Sequence, residues 1–482
     1  MTTTTVARTQ EQILCTLRCR RIRADIRPLA VSEVISQLKN PSILGANKAK
    51  KDADRFSYWA ANPIEIFEFT RADNKPFEKL SQILGKYSLA PSQNDLPNAI
   101  FQGGWIGYFS YDLGRYIETL PDTTIDDLNM PLIRLCFYDR WISYDHTEKT
   151  FYLMALELPG DIESSNQKLT SLEKLLDRAG SVSLKKPAPA DLDNIDFSAI
   201  RSNMDRDYYR RAIEKIRKYI FDGEVYQINF SQRFECDYNA DPVDLFHWQN
   251  RYNPSGYSAY IDSGDFQIIS ASPEMFITLA DGLISTKPIK GTRRRIDDDG
   301  PNHSKAKQIN AKNFEQLASS TKEQAELNMI IDLERNDLAR ICIPGTRKVI
   351  QPRTIETYPT VFHAVATVAG QLRKEITFCD ILRAMFPGGS ITGAPKIRSM
   401  EIIDETEPTA RGLYTGSIGY IGLDSTASLN IAIRTIITAN KKAYAQTGGG
   451  IVADSNPEEE WQESIHKARA LLAGINSVNR ET

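Results

Sequence analysis

The stretch ASLNIAIRTIITAN, residues 427–440, reads as one long β-strand. From 427 to 438 its side chains alternate, with Leu429, Ile431, Ile433 and Ile437 on one face and Asn430, Ala432 and Arg434 on the other. Just before it LYTGSIGYIGL (413–423) reads as a second strand, and an earlier run, FQIISAS, ends near residue 272. FSYWA (56–60), WIGYFSYDL (105–113) and LIRLCFYDRWISYD (132–145) are aromatic and β-branched runs between turn signals. Helical spacing marks about 205–221, where Tyr209, Ile213, Ile216 and Ile220 recur, then 312–336, 376–386, 394–405 and 457–475. In the last of these Trp461, Ile465, Ala468, Leu472 and Ile475 form the buried stripe. Strands and helices come in runs rather than in strict alternation. This predicts an α+β fold, with large antiparallel β-sheets in a sandwich-like core covered by helices.

With 482 residues, 41% of them apolar and 25% charged, the chain has the size and composition of a globular enzyme. The Thr-rich start, residues 1–14, is expected to be poorly ordered. Ser, Pro, Ala and charge replace helical patterning at AGSVSLKKPAPADLDNID (179–196), which predicts an N-terminal domain over 15–180, a linker over 181–196 and a catalytic domain over 197–482. A net charge of −3 argues against a nucleic-acid partner, since Arg18, Arg20, Arg21, Arg23 and Arg27 make only a local cluster. No window approaches the ~20 apolar residues that cross a bilayer, and no secretory h-region opens the chain, so no membrane partner is expected and the cytoplasm is the expected compartment. Six cysteines (Cys15, Cys19, Cys136, Cys236, Cys342 and Cys379) lack the short spacing of a disulfide framework or zinc site. With five histidines, any metal is expected to be a hard ion on carboxylates.

Arg434 in mid-strand is either a solvated or ion-paired residue or an anchor for a carboxylate, which its planar fork suits. Two glycine-rich turns, FPGGSITGAPK (386–396) and TGGGIVADS (447–455), precede helical patterns; they let backbone N–H groups approach an anion, but neither is a P-loop. KEQAELNMIIDLERND sets Glu323, Glu326, Asp332, Glu334 and Asp337 on one helix, while Glu459 and Glu463 lie a turn apart on the last helix. One carboxylate from each helix would hold Mg²⁺, with water and substrate oxygens completing its shell; such glutamates otherwise simply solvate a helix. Lys290, in STKPIKGTRRR, is crowded by Lys287, Arg293, Arg294 and Arg295, an environment that lowers an amine's pKa towards neutrality, though lysines in such runs are commonly exposed.

Taken together, SASPEMF (270–276), KPIKGTRRR (287–295), AELNMIIDLERNDLARI (325–341), FPGGSITGAPKIRSMEIIDE (386–405), YTGSIGYI (414–421), IAIRT (431–435) and GGGIVADS (448–455) resemble, in order, the blocks of the chorismate-utilising enzymes. FQGGWIGYFSYDLGR (101–115) resembles a block of component I of anthranilate and aminodeoxychorismate synthases, so the resemblance spans about 15–475. It implies Mg²⁺ on Glu326 and Glu463, bridging to the ring carboxylate of chorismate. It further implies that Arg434 and Tyr414 hold the enolpyruvyl carboxylate, with Gly448, Gly449 and Gly450 alongside. Gly291, Thr292 and Thr392 would line the pocket, His363 in VFHAVAT matches the family's active-site histidine, and Glu274 matches its general acid.

Two positions choose within the family. Relatives that hydrate chorismate carry a lysine base where this chain has Gln227, so hydration is disfavoured. Anthranilate synthases resemble PIAGT where this chain reads PIKGT, the form typical of aminodeoxychorismate synthases. The resemblance therefore implies that Lys290 attacks ring carbon 2 as the 4-hydroxyl departs, and that ammonia, from a separate glutaminase subunit, then attacks carbon 4 and expels the lysine from carbon 2. Anthranilate synthase component I is the enzyme alternative, and a non-catalytic chorismate-binding or regulatory subunit the other. Arg294 and Ala339 depart from the family's usual Pro and Gly. Gly256 in NPSGYSAY and the loose match of SILGAN (42–47) argue against tryptophan binding.

Overall fold

Two runs that look continuous in the sequence change sheet part-way along, and so does the chain at the expected end of FQIISAS near residue 272. LIRLCFYDRWISYD divides into Ile133–Phe137 and Arg140–Asp145, FQIISASPEMFITLA into Phe266–Ser272 and Met275–Ala280, and ASLNIAIRTIITAN into Ala427–Asn430 and Thr435–Ala439. In every pair one strand lies in a thirteen-stranded sheet and the other in a ten-stranded sheet, counted among the described residues. The computed structural model describes residues 12–45, 55–91, 94–190, 195, 197–296, 303–358 and 361–480.

The larger sheet runs from Arg201–Ser202 through Gln227–Asp237, Lys442–Ile451, Thr435–Ala439, Phe266–Ser272 and Tyr257–Asp262 to Ser42–Leu44, Phe56–Ala60, Arg140–Asp145, Thr150–Glu157, Ile13–Ile22 and Tyr87–Leu89, with Gly393–Ala394 beside Gln227–Asp237. The smaller runs from Ile289–Arg294 through Val361–Gln371, Leu283–Lys287, Met275–Ala280, Ala427–Asn430, Ser417–Gly422 and Gly104–Phe109 to Ile133–Phe137 and Glu65–Phe69, with Lys348–Thr357 beside Val361–Gln371. Pairing between strands is antiparallel, except for Ile13–Ile22 with Tyr87–Leu89. Trp105, Phe109 and Phe276 of the smaller sheet pack with Trp141 and Leu156 of the larger in one buried cluster, which is the layer between the sheets. A second cluster places helices Pro28–Ser36, Ser165–Gly180, Pro242–Tyr252 and Pro457–Arg480 against the outer face of the larger sheet. The fold is thus the expected α+β arrangement of large antiparallel sheets under helices.

Several local expectations change. The alternation at 427–438 is not that of one strand with a buried and an open face: Leu429 and Ile431 enter the layer between the sheets, Ile436 the helix-covered cluster, and Ala432 and Ile437 a third. Arg434 stands at the break with φ +49°, left-handed backbone that ends the extended run. The second glycine cluster is not a turn, because Gly448, Gly449 and Gly450 lie within the strand Lys442–Ile451, opposite Ser231, Phe230 and Asn229. The 312–336 helix is two, His303–Ser319 and Thr321–Ala339, parted at Ser320, whose hydroxyl caps the second by accepting from Glu323 N. WIGYFSYDL leaves its strand at Phe109 and enters a 3₁₀ turn, Tyr111–Tyr116. Ile13 and Leu14, read as part of the loose start, open a strand; residues 1–11 lie outside the described residues.

Strands from before residue 181 and after residue 196 join in both sheets, so the core does not divide at the Ser- and Pro-rich stretch. Part of that stretch is anchored: Trp248 Nε1 donates to Ala188 O and the Tyr252 hydroxyl to Pro187 O. No helix among the described residues is long and apolar enough to cross a membrane.

The smaller sheet is tight at Gly107, where an added Cβ would sit 1.9 Å from the carbonyl oxygen of Arg134. Gly107→Ala must push two paired strands apart within a close-packed core, which costs about 3 kcal/mol. The expected outcome is a clear fall in the urea midpoint; an unchanged midpoint would show that the sheet yields there at no cost.

Candidate active site

A strand that passes from one sheet to another gives up ladder hydrogen bonds at the crossing, and two crossings run side by side here. The Pro273–Glu274 crossing and the Ile431–Arg434 crossing satisfy each other: Ile431 N donates to Glu274 O, Ala271 N to Arg434 O, and the Ser272 hydroxyl to Ile431 O. Glu274 and Arg434 therefore project from adjoining breaks. The Glu274 side chain is buried and accepts from Ile289 N at 3.3 Å and from the Ser390 side chain. Burial holds its carboxyl above the usual range, against the opposing influence of Ser390, Lys290 and Arg434. The Arg434 guanidinium makes no ion pair or hydrogen bond among the described residues, and burial lowers its pKa. A half-buried guanidinium with no partner among the described residues is suited to an incoming carboxylate.

Lys290 lies on Ile289–Arg294, and its Nζ donates to Ser390 O at 3.0 Å. It points inward, where burial pushes its amine below the ordinary lysine range while Glu274, Glu326 and Glu463 act to raise it. Gly291 beside it has φ +93°, and a Cβ there would come within 2.8 Å of Leu317 and 2.9 Å of Glu323, so the strand can follow this path only with glycine. Thr292 Oγ1 is 2.8 Å from His363 Nδ1, and His363 Nε2 is buried without a partner.

Glu326, on helix Thr321–Ala339, has no ion pair among the described residues; burial raises its pKa, and Glu323 and Glu463 add to the effect. Glu463, on helix Pro457–Arg480, pairs with Lys467 at 2.7 Å, and that lysine holds its pKa low. A Cβ on Gly449 would lie 3.7 Å from Glu463 Oε1, which places the glycine strand against these carboxylates. Gly450 is needed for Gln227, whose Nε2 would be 2.1 Å from an added Cβ; Gln227 Oε1 is buried and unpartnered. Thr392 O accepts from Asn229 N at 2.8 Å, and its hydroxyl donates to Gly388 O. Thr415 N donates to Ala432 O, which lays the buried Tyr414 beside the Arg434 crossing.

The structure thus gathers Lys290 with Glu274, Glu326 and Glu463, sets Arg434 within the influence of both Glu274 and His363, and lines the surroundings with Gln227, Gly291, Thr292, Thr392, Tyr414 and Gly448–Gly450. Ser390 and Lys467 went unnoticed as site neighbours in the sequence, and Glu334 was noted only as one of the carboxylates of its helix. Lys467 follows Glu463 by four residues, a helical pair that spacing alone could have found. Ser390 carries no such signal, since its contacts depend on tertiary placement. Glu334, raised to about 8 by burial, accepts from Thr286 Oγ1 at 3.0 Å behind Gly389. The segments bearing Gly256 and SILGAN adjoin through Ala259 opposite Leu44 and Gly45 N on Ser258 O; Ala46 and Asn47 lie outside the described residues.

Known proteins resemble the chain across this site. The chorismate binding enzyme family model matches residues 45–473. The aminodeoxychorismate synthase component 1 of Bacillus subtilis (strain 168) is 39% identical over 383 residues, 79% of each chain. That of Escherichia coli (strain K12) is 35% identical over 452 residues, 91% of this chain and 94% of the other. Among solved structures, anthranilate synthase component I from Streptococcus pneumoniae TIGR4 superposes with a TM-score of 0.73 at 31% identity, covering 87% of this chain and 92% of that one. The chain belongs to the chorismate binding enzymes.

Burial, reinforced by the Arg434 charge, holds His363 down to about 3. An unfolded chain takes up a proton at this histidine as pH falls through about 6.5, while the folded one does so only near 3, so the folded state loses stability across that window. His363→Gln should therefore show a smaller drop in urea midpoint between pH 7 and pH 5 than the unaltered chain; equal drops would mean the ring already titrates in the folded state.

Proposed function

We infer that this chorismate binding enzyme joins ammonia to chorismate at ring carbon 4, forming 4-amino-4-deoxychorismate, with Lys290 as the nucleophile. The observation that carries this reading is an inward-facing lysine whose amine is depressed by burial and sits in the field of Glu274, Glu326 and Glu463. The B. subtilis and E. coli relatives bearing the aminodeoxychorismate synthase name support the same assignment.

The residues divide the work as follows. Arg434, unpaired among the described residues, takes the enolpyruvyl carboxylate with Tyr414 and the open backbone of Gly448–Gly450 beside it. Glu274, whose carboxyl burial shifts towards its protonated form, gives its proton to the departing 4-hydroxyl as Lys290 Nζ bonds to carbon 2 and the ring double bonds shift. The lysine nitrogen then returns a proton to Glu274. Ammonia attacks carbon 4, the double bonds shift back, the carbon 2–lysine bond breaks, and the surplus proton on the new amine passes to the departing lysine nitrogen. Chorismate and ammonia go in; aminodeoxychorismate and water come out. Gln227 has no basic group with which to activate water, so hydration does not compete.

Glu326 and Glu463 fit a divalent cation such as Mg²⁺: both are carboxylates, each raises the negative field at the other's helix, and Glu326 has no cationic partner of its own among the described residues. They do not complete a cage, since no group of three or more His, Cys, Asp or Glu that could hold a metal occurs among the described residues. Two carboxylates with water and substrate oxygens suit Mg²⁺. Bound there, the ion supplies charge neutralisation for the ring carboxylate. Ammonia is supplied by a separate glutaminase, the second component that the relatives' names imply, and ammonium salts substitute for it.

Chorismate, Mg²⁺ and ammonium incubated with the purified chain should yield aminodeoxychorismate by liquid chromatography and mass spectrometry. Anthranilate as the main product would move the chain to the anthranilate synthases, and no loss of chorismate would leave a binding subunit. Withholding ammonium should trap a protein adduct of chorismate minus water on the peptide containing Lys290. Lys290→Ala should lose both that adduct and the product; normal synthesis by this variant would remove covalent catalysis from the account.

A further inference from the structure

Three of the segments that line the site converge on one buried ion pair outside it. Arg411 and Glu407 are 1% and 2% exposed, and the arginine spends all its donors within the protein. Its Nε and Nη2 grip the two Glu407 oxygens at 2.9 and 2.7 Å. The second Nη2 hydrogen goes to Asn229 O at 2.6 Å, while Nη1 serves Ile391 O at 3.0 Å and the Thr415 hydroxyl at 3.3 Å. Glu407 Oε1 also accepts from the Ser231 N–H and hydroxyl. A guanidinium has five N–H donors in a fixed fork, so the set is complete and no other side chain reproduces it.

The atoms so held adjoin ligand-lining residues. Ile391 precedes Thr392 in the loop whose Ser390 meets Glu274 and Lys290. Asn229 and Ser231 lie opposite Gly450 and Gly448 in the ladder, and Asn229 N also fixes Thr392 O. Thr415 follows Tyr414, whose ring, like that of Tyr111, lies against the guanidinium. On the far side Gly412, next to Arg411, is tied to the N-terminal segment: its N–H donates to Asp112 and its carbonyl accepts from Ser110 Oγ and Tyr111 N.

We propose that Arg411, locked by Glu407, is a positioning residue that sets the spacing between the 388–392 loop, the glycine strand and the Tyr414 turn, and so fixes the width of the chorismate pocket. It touches neither substrate nor reacting atoms. A broken fork leaves carbonyl oxygens buried without donors, and the loop and turn relax separately. The proposal depends on the chorismate reading only through its kinetic readout.

Arg411→Lys keeps the charge but offers three donors without the fork. Hydrogen exchange followed by mass spectrometry should show faster exchange in peptides covering 387–394 and 413–417, and the KM for chorismate should rise at least tenfold with a smaller change in kcat. Leu153→Ala, which opens the core under the outer helices, serves as a control for lost stability; at a melting temperature matched by added denaturant it should keep the wild-type KM and the wild-type exchange at both peptides. Should Arg411→Lys not fold, Glu407→Gln, which keeps the shape and weakens the grip, is read in the same way. Wild-type exchange and KM in the Arg411→Lys chain, or changes no larger than those of Leu153→Ala, overturn the proposal. A wild-type chain that leaves chorismate untouched overturns the functional reading alone, because the exchange comparison still decides this one.

Discussion

Every strand that changes sheet must leave some backbone groups without a ladder partner, and the rest of this structure is arranged around how two such breaks are closed. The Pro273–Glu274 and Ile431–Arg434 crossings are tied together where they run side by side, through Ile431 N on Glu274 O and through Ala271 N and the Ser272 hydroxyl at the end of the adjoining strand. That mutual closure fixes their spacing, because neither can shift without exposing a buried N–H or carbonyl. It also explains why Glu274 and Arg434 escape the alternation of a regular strand. Side chains at a break are aimed by the local bend, and left-handed backbone at Arg434 turns the guanidinium away from the direction that a continued strand would give it.

What the crossings position is a set of charges that folding alone would not assemble. Glu274 and Arg434 influence each other without forming an ion pair, and Lys290 spends its amine on a carbonyl oxygen rather than on a carboxylate. Close pairing would have offset more of the desolvation cost. Left open, the groups keep their binding capacity: a carboxyl and an amine that burial shifts towards their neutral forms, and a guanidinium with no ion pair or hydrogen bond among the described residues. The perturbations arise chiefly from burial, the cause shared by Glu274, Lys290, Arg434 and His363, so access of water to this region would shift all four together.

The sequence disclosed the parts of this site better than their arrangement. Fold class followed from runs of strands and helices, whereas Lys290, Glu274, Glu326 and Glu463 were singled out through the resemblance of their blocks to those of the chorismate-utilising enzymes, since spacing alone marks none of them. The strand at 427–438 was misread for a physical reason: alternation records that side chains point both ways, not what lies on either side, and here both sides are buried in different clusters. GGG at 448–450 looked like a turn, since glycine's commonest role is freedom of φ. Here Gly448 serves close packing, with 2.2 Å between its hypothetical Cβ and Phe230 O. Nor could composition reveal that strands on either side of the Ser- and Pro-rich stretch share both sheets, because pairing across hundreds of residues leaves no local trace. Arg411 shows the same limit: its five contacts come from four segments, and only the i, i+4 relation to Glu407 is written in the chain.

Position 290 shows how one side chain can redirect chemistry without disturbing this framework. Its neighbours are fixed by backbone: Ile289 N bonds Glu274, Gly291 fits against Leu317 only because it lacks a Cβ, and Thr292 bonds His363. The Lys290 side chain itself holds nothing in place except through one hydrogen bond to Ser390 O, so its replacement by a small residue would leave the strand, the acid and the anion-binding groups where they are. Removing the amine also removes the one cation that, among the described residues, acts on both Glu274 and Glu326. Both carboxyls would then hold their protons more tightly, so a lysine at this place tunes the carboxyls beside it, in addition to the nucleophilic role proposed for it.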